Sequence, residues 1–137
     1  MTPNMHEGGC LCGAVRYRAS GVPRALTLCH CRSCRRASGA PSVAWAVFDA
    51  GDFEFTAGEP ARFHSSPSVV RTFCGQCGTP LTYQQEARAD SVDVTTVSLD
   101  QPDGFAPAFE IWVEHKVSWE TLDPNLPHYP RSSKRDA

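Results

Sequence analysis

The segment CLCGAVRY, residues 10–17, begins with two cysteines that are separated by one residue and followed by a glycine. A second cysteine pair with a following glycine lies in CGQCG, residues 74–78, and the other three cysteines lie in CHCRSC, residues 29–34. All seven cysteines therefore fall into three short clusters. Spacing of this kind is typical of metal ligands or redox-active thiols.

The composition indicates an ordinary globular protein and excludes several classes of partner. The chain has 137 residues, of which 41% are hydrophobic and 20% charged, and this length suits one domain with a single core. Its formal net charge of −2 offers no basic surface for nucleic acid or an acidic membrane. Apolar runs stay well below the ~18 residues of a membrane span.

The cysteines are expected to be reduced. The first residues, MTPNMHEGG, lack the basic and apolar pattern of a signal peptide, so we expect a cytoplasmic protein. Thiols stay free in that reducing compartment, and an odd number of cysteines cannot form a complete set of disulfides. Metal binding or redox chemistry is therefore favoured over a disulfide scaffold.

Most of the chain reads as short strands. Alternating or continuous apolar patterns occur in AVRYRA, VAWAVFDA, DFEFTAG, SVVRTFC, PLTYQ, SVDVTTVSL and AFEIWVEHKVSW. In VAWAVFDA the pattern predicts a strand buried on both faces. In SVDVTTVSL a one-residue slip between Val94 and Val97 predicts a β-bulge. The single helix signal covers a turn or two at residues 33–38, before Gly39 and Pro41. We expect a mainly β fold, either a sandwich or a small set of packed sheets.

The two cysteine pairs predict a closed metal site. Zinc prefers thiolates in tetrahedral geometry, and a glycine after each pair lets the backbone turn around the ion. Together Cys10, Cys12, Cys74 and Cys77 supply four thiolates. A site closed in this way is structural, and it would tie the start of the chain to its middle.

The remaining cluster predicts a second site of different character. Cys29, Cys31 and Cys34 can fill three corners of a tetrahedron and leave the fourth to water or substrate, as in catalytic zinc sites. Spacing leaves two alternatives open. Either Cys10 and Cys12 pair with Cys29 and Cys31, leaving Cys34 with the last two cysteines, or the three cysteines of CHCRSC bind no metal.

Several other residues are weaker candidates for this second site. His30 could complete the ligand set, although the middle residue of an extended C-x-C points away from the metal, which favours a packed or hydrogen-bonded histidine. Arg16, Arg35 and Arg36 are candidates for contacts with an anionic cofactor or substrate, as is Arg32, although a solvated run of charges is equally typical. Trp45, Phe48 and Trp112 could line a pocket, but aromatic residues at strand spacing usually belong to a core.

The motifs GGCLCGAVRY, CHCRSCRRASGA and RTFCGQCGTPL, followed by EIWVEHKVSW, resemble the family of glutathione-dependent formaldehyde-activating enzymes, which also includes centromere protein V. The resemblance covers about residues 6–120. It implies a single zinc-binding domain over residues 1–137, with that stretch as its core and residues 121–137 as a C-terminal tail. It also implies a mainly β fold similar to that of small zinc-binding chaperones of Rab GTPases.

The same resemblance implies a function. It assigns a structural zinc to Cys10, Cys12, Cys74 and Cys77 and a catalytic zinc to Cys29, Cys31 and Cys34. The implied activity joins glutathione, as co-substrate, to formaldehyde, which is carbon–sulfur lyase chemistry in reverse. The chain is shorter than the well-characterised members that use glutathione, so the substrate could instead be a related thiol adduct or small electrophile.

Two other functions stay open at this point. Both zinc sites could be structural, in a binding module without catalysis, and Glu110, Glu114 or His115 would then be ordinary polar residues rather than a general base. Alternatively, CHCRSC could act as a redox sensor. The tail, residues 121–137, is either a loose end or a strap held by Leu126 and Tyr129. The sequence leaves the oligomeric state open, a homodimer included.

Overall fold

The computed structural model describes residues 4–133, which form ten strands and one α-helix joined by short 3-10 turns. The strands are β1 Met5–Gly9, β2 Arg16–Ser20, β3 Ala25–Cys29, β4 Val43–Asp49, β5 Phe53–Ala57, β6 Ala61–Ser66, β7 Val69–Phe73, β8 Pro80–Gln85, β9 Ser91–Thr95 and β10 Phe109–Ile111. The helix, α1, is Arg32–Ser38. The mainly β fold that the strand patterns predict is thus confirmed.

The strands form two sheets. A seven-stranded sheet has the order β10-β3-β4-β9-β8-β7-β6, and a three-stranded sheet has the order β1-β2-β5. All neighbouring strands are antiparallel except β10 and β3, which run parallel. One face of the large sheet packs on the small one through a core that includes Tyr17, Ala19, Ala46, Phe48, Leu81, Val92 and Val94. The other face of the large sheet carries the candidate site.

Strand β4 is buried on both faces, as its continuous apolar run predicts. Ala46 and Phe48 point into the core between the sheets. Val43 and Trp45 point the other way, into a smaller cluster that contains Cys29 and Cys34. Because successive side chains of a strand point to opposite faces, this one strand connects the core to the candidate site.

The short helix predicted at residues 33–38 is confirmed, and it begins one residue earlier. Cys31 is its N-cap, and its sulfur accepts a hydrogen bond from the backbone N–H of Cys34. Gly39 ends it with φ of 71°, a left-handed conformation that glycine adopts without strain. Within residues 4–133, no helix has the length and apolar character that a membrane span needs.

Two local predictions are wrong. The break in the apolar alternation of SVDVTTVSL does not come from a bulge. Strand β9 ends at Thr95, and a 3-10 turn over Thr96–Ser98 follows it. The late segment AFEIWVEHKVSW forms only the three-residue strand β10. There the chain leaves the strand at Trp112, whose φ of 56° is left-handed, and continues as a 3-10 turn.

The segment after residue 121 lies along the edge strand β10 as a strap, the second of the two alternatives for the tail. The backbone N–H of Glu110 donates to the carbonyl of Pro127, and the N–H of Tyr129 donates to the carbonyl of Glu110, both at 3.0 Å. The Tyr129 ring also packs edge-on against Phe109. This pairing covers the edge of the large sheet beside the candidate site. The last four positions of the tail, 134–137, lie outside the described residues.

Candidate functional site

The two cysteine pairs meet at one point, although they are far apart in sequence. The sulfur atoms of Cys10, Cys12, Cys74 and Cys77 all lie within 4.8 Å of one another. Those of Cys10 and Cys12 are 3.7 Å apart, as are those of Cys12 and Cys74. In a tetrahedral zinc site with Zn–S bonds near 2.3 Å, neighbouring sulfurs are about 3.8 Å apart. The four thiols therefore fit a tetrahedral metal ion.

Equivalent turns place the two pairs. In each, the backbone N–H of the glycine after the second cysteine donates to the carbonyl of the first: Gly13 to Cys10 at 3.1 Å and Gly78 to Cys74 at 2.8 Å. Both glycines have φ near 80°, which explains why glycine follows each pair. A hydrogen bond from the Thr79 hydroxyl, aided by its backbone N–H, lowers the pKa of Cys77 to about 5. These donors favour the thiolate form that a metal binds.

The other three cysteines form a separate cluster on the far face of the large sheet. Cys29 is the last residue of β3, Cys31 caps α1 and Cys34 lies in its first turn, and their sulfurs are within 4.8 Å of one another. Hydrogen bonds with Cys29 and Cys34 lower the pKa of the Cys31 thiol, and the charge of Arg71 adds to this effect. The bonds with Cys31 and Cys34 raise the pKa of Cys29. Cys31 is thus the cysteine of this cluster that most readily becomes a thiolate, with the charge of Arg71 nearby.

The two clusters differ in what surrounds them. Cys29, Cys31 and Cys34 line one end of a cavity of about 910 Å³, a volume within the usual range for small-molecule sites. None of the four cysteines of the first cluster lines this cavity. The donor set of the second cluster therefore fits a metal ion with a position open to a ligand. The division of the cysteines into four and three, inferred from their spacing, matches this geometry.

The open face of the large sheet forms the floor of the cavity. Strand pairing places Ala25, Val47, Asp93, Tyr83 and Arg71 side by side in one row across five strands. All five line the cavity. The floor is therefore partly polar, unlike the opposite face of the same sheet, which forms the main core.

Arg71 is the site residue that the sequence reasoning missed. Its guanidinium lies 3.9 Å from the sulfur of Cys34 and 4.9 Å from the centre of the Tyr83 ring, and the residue is only 9% exposed. The segment SVVRTFC did contain a signal for a charged site. Arg71 lies two residues after Val69, so both side chains are on the same face of the strand, and that face carries a charge. The pairing that brings β7 to Cys34 is non-local, and the sequence pattern does not contain it.

His30 anchors the cysteine loop from behind. It is fully buried, its Nε2 is 2.6 Å from Oε1 of Glu110, and its Nδ1 is 3.1 Å from Oε1 of Glu120. Glu110 in turn accepts a hydrogen bond from the backbone N–H of Asp123 at the start of the strap. The ring thus points into a carboxylate network, as expected for the middle residue of an extended C-x-C.

The arginines chosen from sequence do not converge on the cavity. Arg16 lies on the small sheet and forms an ion pair with Asp100, and neither Arg35 nor Arg36 is among the residues that line the cavity. Arg32, on the same helix, does line it. The guanidinium that contacts the three-cysteine cluster belongs instead to Arg71.

The aromatic and polar candidates are divided between core and cavity. Trp45, Trp112 and His115 line the cavity, and the rings of Trp112 and His115 stack at 5.3 Å. Phe48 belongs to the core between the sheets, the alternative that strand spacing favours. Glu114 accepts a hydrogen bond from Arg131. His115 is thus the one of the three general-base candidates that faces the cavity.

Two known proteins are similar to this chain. Over 78 residues the chain is 31% identical to an uncharacterized lyase of Schizosaccharomyces pombe, an alignment that covers 57% of this chain and 56% of that protein. The chain therefore spans little more than half the length of this relative. A crystal structure of a Rhodobacter sphaeroides protein has the same fold, with a TM-score of 0.60 and 18% identity over 90% of this chain and 98% of that one.

The decisive comparison is with a family profile. The profile described as glutathione-dependent formaldehyde-activating enzyme matches residues 5–115, a stretch that contains all seven cysteines, Arg71 and Glu110. The match begins with β1 and ends at the 3-10 turn after β10. The chain belongs to the family of glutathione-dependent formaldehyde-activating enzymes.

Proposed function

We propose that this chain is a zinc-dependent carbon–sulfur lyase or synthase that acts on a thiol–aldehyde adduct of the S-hydroxymethylglutathione type. The observation that carries the proposal is the difference between the two cysteine clusters. One offers four sulfurs and does not line the cavity, whereas the other offers three and lies at the end of a cavity of about 910 Å³. An enzyme of this class needs the second arrangement, and a purely structural metal site does not.

The cysteines have separate roles in this proposal. Cys10, Cys12, Cys74 and Cys77 would hold a structural zinc, and Cys29, Cys31 and Cys34 would hold a catalytic one. Zinc bound to the latter three would supply Lewis acidity that stabilises a thiolate or polarises an aldehyde oxygen. The fit of both donor sets rests on the mutual distances of their sulfurs.

The chain's other residues would bind and orient the reactants. The indole groups of Trp45 and Trp112 form apolar walls, and Arg71 places a positive charge at the cysteine end of the cavity. In the synthetic direction the thiol sulfur bonds to the aldehyde carbon, and the thiol proton passes to the aldehyde oxygen. His115, which lines the cavity, would hold that proton in transit. No oxidation state changes, so the reaction needs no redox cofactor.

The reactants and the cellular compartment that we propose are those expected from the sequence. The reactants are a small thiol, with glutathione as the first candidate, and formaldehyde or a similar aldehyde. We place the reaction in the cytoplasm, where such thiols are abundant and cysteines stay reduced. Residues 1–137 would act as one domain.

The test is exchange spectroscopy by NMR on mixtures of glutathione and formaldehyde with the zinc-loaded protein. We expect the protein to accelerate the interconversion of free thiol and hydroxymethyl adduct. Cys31→Ser should abolish the acceleration and leave the fold intact, because it removes a ligand from the cluster at the cavity only. If zinc-loaded protein accelerates no thiol–aldehyde exchange but captures a protein partner in stoichiometric amounts, the chain is a binding module instead.

A further inference from the structure

Arg71 occupies an unusual position for an arginine. It lies in the middle of β7, on the cavity face of the seven-stranded sheet, between Tyr83 on one side and Phe63 on the other. The residue is 9% exposed. Arginine is rarely buried to this extent without an anionic partner, because the desolvated charge is costly unless something offsets it.

The contacts that Arg71 makes within the protein offset its buried positive charge only in part. Its Nε donates to the hydroxyl of Ser65 at 3.1 Å, and its guanidinium packs over the Tyr83 ring. Its Nη2 reaches the sulfur of Cys34 at 3.9 Å, a long and weak contact. Among residues 4–133, no carboxylate forms an ion pair with Arg71, and its side-chain hydrogen-bonding contacts are with the Ser65 hydroxyl and the Cys34 sulfur. The guanidinium thus keeps donors for an anion that enters the cavity.

Two of the other arginines that line the cavity, Arg24 and Arg32, are placed differently. Arg24 forms ion pairs with Asp49 and Asp90, so its charge is already offset. Arg32 is exposed on α1, where water screens its charge. Arg71 therefore combines burial, proximity to the cysteine cluster and the absence of a carboxylate partner within the described structure.

We propose that Arg71 is the residue that determines substrate specificity in this cavity, and that it pairs with a carboxylate carried by the thiol substrate. This inference rests on the proposed function, since it names the group by which a thiol is recognised at the three-cysteine cluster. A guanidinium binds a carboxylate through two parallel hydrogen bonds, and in a partly buried site such charge-assisted bonds are strong. The cavity therefore prefers acidic thiols to neutral thiols of similar size.

The test compares an acidic and a neutral probe thiol, 3-mercaptopropionate and 2-mercaptoethanol, by calorimetric titration of the zinc-loaded protein. We expect the wild type to bind 3-mercaptopropionate more tightly. Arg71→Gln should weaken its binding roughly 10- to 100-fold, the effect of losing a charge-assisted pair, and leave 2-mercaptoethanol nearly unaffected. Arg71→Lys should restore part of the preference, because it keeps the charge and loses the paired geometry.

Two controls accompany the titration. Arg62→Gln changes an exposed arginine on the adjacent strand β6 that faces away from the cavity, and it should bind both thiols as the wild type does. Zinc content and circular dichroism of each variant report on folding independently of thiol binding. If Arg71→Gln does not fold, Arg71→Lys carries the comparison, and a preference weaker than that of the wild type supports the proposal.

The outcomes separate this inference from the proposed function. If the wild type binds both thiols and Arg71→Gln binds them with the same two affinities, the inference is wrong and the proposed function stands. If Arg71→Gln instead loses zinc while its thiol preference is unchanged, Arg71 serves the cysteine cluster and not the substrate, and the inference is again wrong. If zinc-loaded wild type binds neither thiol, both fail.

Discussion

At the scale of single residues, His30 shows how a side chain that binds no substrate can position a site. Its ring lies between the carboxylates of Glu110 and Glu120, and it is fully buried. Because the neighbouring residues on both sides are cysteines of the three-cysteine cluster, any rotation of this loop would break the network behind it. His30 therefore acts on the site through the backbone that it holds.

Replacing this histidine tests that role. His30→Leu removes both polar contacts and leaves the buried Oε1 of Glu110 without the donor that His30 supplies, so we expect the free energy of unfolding to fall by about 2–4 kcal/mol. The variant should also retain less zinc at the three-cysteine cluster. Denaturant unfolding and zinc analysis measure the two effects. His64→Leu, at an exposed position on β6, is the control and should change stability by less than about 0.5 kcal/mol.

If His30→Leu has the same free energy of unfolding and the same zinc content as the wild type, His30 does not have the positioning role.

The sequence predicted only part of this arrangement. That His30 points away from the metal follows from the geometry of C-x-C, whereas its partners Glu110 and Glu120 lie 80 and more residues away. The parallel pairing of β10 with β3, which the sequence pattern does not contain, brings Glu110 beside the loop that carries His30.

At the scale of elements, the end of β5 is fitted tightly to the turn that follows the first cysteine pair. Gly58 has φ of 70°, and a Cβ atom there would overlap the carbonyl oxygen of Ala14. Ala14 lies two residues after Cys12, so this close approach holds the cysteine turn against the small sheet. Only glycine allows the two backbones to come so near.

Gly58→Ala should therefore destabilise the protein. The left-handed conformation and the overlap with backbone together should lower the free energy of unfolding by about 2–4 kcal/mol. Gly51→Ala is the matched control, because a Cβ at Gly51 meets no atom within 4 Å. Thermal unfolding followed by circular dichroism measures both. Equal melting temperatures for the two variants would show that β5 and the cysteine turn are not coupled in this way.

The strands also show which parts of the fold can be predicted from local sequence patterns. The alternation in AVRYRA, DFEFTAG and PLTYQ predicts β2, β5 and β8 correctly, since one face of each strand meets a core. The edge strand β6, with the sequence ARFHSS, went unpredicted because it is largely exposed and carries little apolar pattern. The long strand predicted from AFEIWVEHKVSW is cut short at Trp112, where the strap takes over the pairing.

At the scale of the whole molecule, the four-cysteine cluster joins segments that are otherwise distant. Cys12 and Cys74 are 62 residues apart in sequence, and their sulfurs are 3.7 Å apart. Cross-linking a loop of this length stabilises a fold by about 4 kcal/mol according to the loop-entropy relation. The three-cysteine cluster spans only six residues and constrains the fold far less.

The two clusters should consequently differ in their effect on stability. Cys77→Ser should unfold the protein or lower its free energy of unfolding by about 4 kcal/mol, because the metal cross-link is lost. Cys31→Ser should stay folded and lose only the zinc beside the cavity. Zinc content and thermal unfolding of the two purified variants give the comparison. If both variants melt alike, the clusters do not have separate structural and catalytic roles.

The most direct test of the whole account is a crystal structure of the zinc-loaded protein, with anomalous diffraction at the zinc edge to locate the ions. We predict two ions per chain. One is bound by the sulfurs of Cys10, Cys12, Cys74 and Cys77, and the other by Cys29, Cys31 and Cys34 together with a ligand that does not belong to the protein. Two ions that are both fully enclosed by protein atoms, or no ion beside residues 29–34, would contradict it.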